Sequence, residues 1–164
     1  MDNGKKKKFK FYDSYIVSVL KTIGNIGITS DGRNQMNSCM IHISKYISDI
    51  ALGLIISNGK KTLSHEEITN ALKIVFIDND NTFTDNMFSE CEQSLFKFRN
   101  SDKNVSRQKK AGIIFAPSVV EKFLRNFNYN KVMISSEAPV YLAVALEFIC
   151  MNMLFRTMEK LQNI

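Results

Sequence analysis

One apolar template occurs twice in this chain, and the repetition constrains the fold more than any single motif. Ile16, Val19, Leu20 and Ile23 form a short stripe, and Met36, Met40, Ile43, Ile47, Ile50 and Leu54 form a long one. Val120, Phe123, Leu124 and Phe127 repeat the short stripe with the same steps of 3, 1 and 3, and Leu142, Leu146, Ile149 and Met153 restart the long one with steps of 4, 3 and 4. Each step keeps to one face of a helix. The long stripes are offset by 106 positions, so Ile164 corresponds to Asn58 of the first copy. On this register the second copy is expected to stop at the end of its long helix.

The punctuation between the stripes defines the units. Asp13 or Ser14 caps a short helix to about Ile23, which Gly24, Asn25 and Gly27 break. Ser30 caps a long helix to about Ser57, roughly 42 Å at the helical rise. Asn58-Gly59 ends it, and Ser64 with Glu67 forms a capping-box pattern before Ile68, Ala71, Leu72 and Val75. A polar connection, 78–85, leads to a helix capped at Thr84 or Asp85 that carries Phe88, Cys91, Leu95 and Phe98. Pro117 suits the first turn of the helix to Phe127, 128–135 reads as a loop, and Ser135 or Ser136 caps the second long helix. The expected organisation is a basic tail at 1–11, a first unit at 12–99, a basic linker at 100–110 and a second unit at 111–164. A long helix with a narrow stripe cannot bury that stripe alone. Two units on one chain can cover each other, at high effective concentration.

Composition narrows the class. At 164 residues and 45% apolar content the chain can build one good core or two small ones. No run of 18 uninterrupted apolar residues occurs, so no membrane span is expected, and no apolar signal region follows Lys5–Lys10. Cys39, Cys91 and Cys150 show no CxxC spacing and read as small apolar side chains in a reducing compartment. The net charge of +6 is uneven: residues 1–77 carry eleven bases and six acids, 78–96 five acids and no base, and 97–110 six bases and one acid. That excess is compatible with a nucleic-acid partner. Enzyme signatures are missing: His65-Glu66-Glu67 is not HExxH, and Asp78-Asn79-Asp80 lacks the glycine and glutamate of a calcium loop. Neither a phosphate-binding glycine loop nor a catalytic triad pattern is seen, so a non-enzymatic protein without metal or cofactor is expected.

The pattern of two short–long–short units resembles the histone fold. Residues 12–77 resemble histone 2B through Val19-Leu20-Lys21, Gly27-Ile28-Thr29-Ser30, Met36-Asn37-Ser38, Asn58, Thr62, Glu67-Ile68 and Ala71. The helix after Thr84 looks like the extra C-terminal helix of that histone. Residues 106–164 resemble histone 2A through Ala111-Gly112, Phe115, Leu124-Arg125, Asn128-Tyr129 and above all Ala138-Pro139-Val140-Tyr141-Leu142-Ala143 followed by Leu146-Glu147. The order looks like the fused histone doublets of giant viruses of the Marseillevirus kind. The resemblance implies an all-α fold: two histone folds in one chain, paired as an intramolecular handshake pseudo-dimer, the second lacking its third helix. It implies a subunit that replaces a 2A–2B dimer and packages double-stranded DNA without reading sequence. The implied partner is a histone 3/histone 4-type tetramer or its fused equivalent, and the implied location is the virion and viral factory or the host nucleus.

Histones hold DNA through phosphate contacts and DNA deformability. Carried over residue by residue, the second loop of the 2B-like unit supplies Lys60, Lys61 and Thr62, with Lys60 at a groove-arginine position. The first loop and the start of the long helix supply Thr29 and Ser30, the 2A-like first helix Lys122 and Arg125, and its following loop Lys131. Lys5, Lys6, Lys7 and Lys8, with Lys10, resemble a histone tail. Departures point to weaker binding than the family norm. Val119 stands where an arginine is expected, Asp31 replaces a base, and the chain has five arginines. Without a third helix and docking segment in the 2A-like unit, one DNA loop pair and the tetramer attachment are expected to be incomplete, giving a looser particle. Of the family's acidic patch Glu147 remains, while Asn152 and Phe155 occupy two other positions. Phe155, Met158 and Leu161 need cover, either from the helix 84–99 or from a partner. The competing expectation is a histone-fold adaptor that does not wrap DNA.

Overall fold

The computed structural model describes residues 11–127 and 131–163. Among these the chain is all-α apart from one two-residue bridge. Its elements are α1 (Asp13–Gly24), α2 (Ser30–Ser57), β1 (Thr62–Leu63), α3 (His65–Val75), α4 (Asn81–Arg99), α5 (Arg107–Ala111), α6 (Pro117–Asn126), β2 (Met133–Ile134) and α7 (Ala138–Gln162).

Local chemistry sets most boundaries. Asn25 closes α1 in the left-handed region, at φ 50°. Thr29 caps α2, its hydroxyl accepting from the Gly32 N–H at 3.1 Å, so Ser30 is the first helical residue instead of the cap. Gly59, at φ 62°, turns the chain after α2. The capping box of Ser64 and Glu67 forms as the spacing requires. α4 begins three residues before Thr84, because Asp80 caps it by accepting from the Thr82 N–H. The Thr84 hydroxyl instead donates back to the Asn81 carbonyl inside the first turn. The segment read as a linker contains α5, capped by Ser106 and closed at the left-handed Gly112. Ser135 accepts from the Ala138 N–H at the start of α7.

α7 runs through the centre. Residues 138–146 are all buried, and the helix touches α1, α3, α4 and α6. α2 packs chiefly on α3 and α1, and meets α7 directly over a short stretch. By length and mean hydropathy alone both long helices are apolar enough to cross a membrane, although neither holds 18 uninterrupted apolar residues. In this fold residues 138–146 of α7 are buried in protein on every side, the other place where a helix stretch apolar all round is found.

The buried face of α2 is turned from the apolar stripe. Asn37, Met40, Ser44, Ile47, Ser48, Ala51, Leu52 and Ile55 are buried, while Met36, Ile43, Ile50 and Leu54 are half-buried flanks. Two serines enter the core because their hydroxyls are satisfied there. Ser44 donates to the Met40 carbonyl and Ser48 to the Ser44 carbonyl, and the buried Tyr12 hydroxyl pairs with Ser44 Oγ at 2.8 Å. The Tyr12 N–H also donates to Asn37 Oδ1, which ties the start of α1 to α2. Around Tyr12 the rings of Phe11, Phe115 and Phe123 pack with centroids 5.5–6.5 Å apart, joining the starts of α1 and α6.

The far half of α7 is less covered. Phe155 is 50% exposed and Leu161 65%. Phe155 does not pack under α4: with Thr22, Ile23, Met151 and Asn152 it lines an open apolar pocket of about 300 Å³ at the end of α1. The start of α4 sits nearer the middle of α7, where Phe83 lies 5.4 Å from both Phe76 and Phe148.

Candidate nucleic-acid interface

A surface that holds DNA without reading bases needs cations and backbone N–H groups at exposed loops. β1 and β2 bring two such loops together as parallel partners, Thr62 with Met133 and Leu63 with Ile134. The Met133 N–H donates to the Lys61 carbonyl and the Ser135 N–H to the Leu63 carbonyl, both at 2.9 Å. Lys60, Lys61 and Thr62 therefore lie beside Lys131 and Met133, although about seventy positions separate the loops in sequence. Lys61 and Lys131 are exposed, Thr62 is half-buried, and Met133 is 66% exposed. Lys131 takes a left-handed backbone, at φ 52°.

Lys60 is differently placed. Its Nζ lies 2.5 Å from Glu67 Oε1 and 3.6 Å from Glu66 Oε2. The Glu67 side chain is almost fully buried, and its other oxygen accepts from the Ser64 N–H at 2.9 Å and the Ser64 hydroxyl at 2.5 Å. Burial alone would push this carboxyl up, but the bonds from Lys60 and Ser64 outweigh it and hold the group at about 2.

The remaining sequence-nominated residues are dispersed. Lys122 is exposed on α6. Arg125 is also exposed, but it donates twice to Glu121, at 2.7 and 3.1 Å, and Glu121 also binds Arg107. The hydrogen bond from Arg125, aided by Arg107, holds the Glu121 carboxyl below the usual range. Thr29 and Ser30 lie at the opposite end of α2 from Lys60, about 40 Å away at the helical rise. Lys5, Lys6, Lys7 and Lys8 lie outside the described residues.

Glu147 is not an open acidic surface group. It is half-buried and accepts from the N–H groups of Ile114 and Phe115, at 2.9 and 3.3 Å, fastening the segment before α6 to α7. Burial pushes its carboxyl up despite those bonds. Glu147→Ala is expected to cost about 1–3 kcal/mol by stranding two donors, whereas Glu147→Gln, which keeps an acceptor, is expected to be close to neutral. Thermal unfolding of the two variants checks this.

Two charge junctions escaped sequence reasoning. Glu137, at the start of α7, accepts two bonds from Arg99 at 2.7 and 2.8 Å and faces His65 Nδ1 at 3.1 Å. Arg107 reaches Glu121 across 14 positions. Only the Glu121–Arg125 pair, at i and i+4, left a local signal. As a result four of the five arginines, Arg33, Arg99, Arg107 and Arg125, face a carboxylate of the chain itself. No group of three metal-ligating side chains occurs among the described residues.

No family model matches the chain. Over 56 residues, 34% of the chain, it is 41% identical to the histone 2A-Bbd type 1 of Mus musculus, covering 50% of that protein. Over 49 residues, 30% of the chain, it is 49% identical to the histone 2A.2 of Lodderomyces elongisporus, covering 37% of it. The chain thus spans half or less of the curated relatives it matches. The likeness is of the histone 2A type, extends over about a third of the chain, and is compatible with its mostly helical fold.

Proposed function

We propose that the chain is a DNA-packaging histone variant in which a 2B-like unit, residues 12–99, and a 2A-like unit, residues 111–164, pair within one polypeptide. The observation that carries this reading is the parallel bridge of β1 and β2. It joins the loop after one long helix to the loop before the other, so that the exposed Lys61 and Lys131 lie on adjoining loops. The meeting of α1 and α6 around Tyr12, Phe115 and Phe123 supports the same pairing. The 2A-type likeness supports DNA and other histones as partners, and a histone 3/histone 4-type tetramer, separate or fused, is the proposed one. The order of the units favours a place in viral genome packaging, in the virion and viral factory or the host nucleus.

With its arginines largely engaged by its own carboxylates, the chain has few guanidinium groups to offer DNA, and lysine is the poorer groove reader. The resulting particle is therefore loose and protects less DNA than an arginine-rich counterpart. Affinity for a 30-base-pair duplex measured against salt tests the binding itself. About four to six phosphate contacts give a log–log slope of roughly −4 to −5. A slope near zero would favour a protein-binding adaptor, the reading that the arginine pairing otherwise supports. Nuclease digestion after reconstitution with a tetramer-type partner tests the packing. Protection equal to that of an arginine-rich doublet would sink the looser particle.

A further inference from the structure

We propose that Lys60 is a positioning residue, the internal counter-ion that fixes the paired loops, and that the DNA-facing cations of this loop pair are Lys61 and Lys131. The proposal rests on the DNA-packaging reading above and divides the labour within its central surface.

Three observations carry it. First, Glu67 is an acid with a 3% exposed side chain, and a buried carboxylate needs its charge met. Lys60 meets it on Oε1 while the Ser64 N–H and hydroxyl meet Oε2, so both oxygens are occupied. Second, these bonds span the bridge. Lys60 lies just before β1, while Ser64 and Glu67 lie just after it, so the ion pair closes a loop around Thr62 and Leu63. The edge that pairs with Met133 and Ile134 is thereby held in register. Third, Glu66 also faces Lys60, so its Nζ already has two carboxylate partners, one of them exposed and repelling an approaching phosphate. Lys61 and Lys131 are exposed, and neither has a carboxylate within ion-pair distance among the described residues.

The test uses the full chain and a 30-base-pair duplex of mixed sequence. Lys61→Gln and Lys131→Gln are each expected to flatten the log–log salt slope by about one, with little change in melting temperature. Lys60→Gln is expected to leave the slope unchanged while lowering the melting temperature by about 4 °C or more. Lys60→Arg is expected to keep both. If Lys60→Gln does not fold, Lys60→Gln combined with Glu67→Gln removes both charges and carries the same slope test. A flattening of about one unit for either folded variant would overturn the proposal, because Lys60 would then be a phosphate contact. An unchanged melting temperature for Lys60→Gln would overturn the positioning role. A wild-type slope near zero defeats the DNA reading instead, while the melting-temperature arm still reports on the Lys60 clamp.

Discussion

Ile47→Ala is expected to destabilise the chain by about 2–5 kcal/mol, and Ile43→Ala, one turn earlier on α2, by only about 1–2 kcal/mol. Both residues belong to the same apolar stripe, so the pattern in the sequence ranks them equally. The structure does not: Ile47 is fully buried, whereas Ile43 flanks an opening lined by Phe76, Phe83, Ile149 and Met153. Truncating Ile47 leaves a cavity in a core that includes the buried Met40, Ala51 and Ile55. The rim around Ile43 can be filled by water or by rearrangement of its partly exposed neighbours. Equilibrium denaturation of the two variants decides the matter, and equal losses would show that the buried face of α2 is misassigned.

The second large effect concerns Glu67. Glu67→Ala is expected to cost about 2–3 kcal/mol near neutral pH, since it removes the acceptor for Ser64 and the partner of Lys60. The pH dependence has a definite sign. The folded carboxyl titrates at about 2, below its ordinary value of 4.5. Its contribution is therefore fully present above about pH 4.5 and is lost as pH falls through about 2. Wild-type stability should fall across that window more steeply than that of Glu67→Ala, which lacks the titrating group. Urea unfolding at pH 5, 3.5 and 2.5 measures the difference, and parallel acid profiles would refute the assignment.

Much of this behaviour was legible before any coordinates. The Ser64–Glu67 box, the end of α2 at Ser57 and the placement of Pro117 all follow from neighbours within one turn. The errors have an equally physical origin. Ser44 and Ser48 score as polar, so the apolar stripe steps around them. Bonding to carbonyls four residues back, and to Tyr12, makes them good core residues. Thr84 is an acceptable cap by type, but Asp80 takes that place first and draws Thr84 into the first turn. In the candidate interface, residue types nominated two loops that the bridge brings together but could not tell which cations were spoken for. Lys60 and Lys61 are adjacent and chemically identical, yet only Lys60 meets Glu66 and Glu67.

The amino-acid order alone determined the extent of the long helix α2, the capping box of α3 and the recurrence of apolar faces at an offset of 106 positions, because these depend on contacts between near neighbours. The tertiary structure decided which face of α2 is buried, that Glu147 holds backbone rather than facing solvent, and that Thr62 meets Met133. Those outcomes depend on partners dozens of positions apart, brought together only when α7 is enclosed by the rest of the chain.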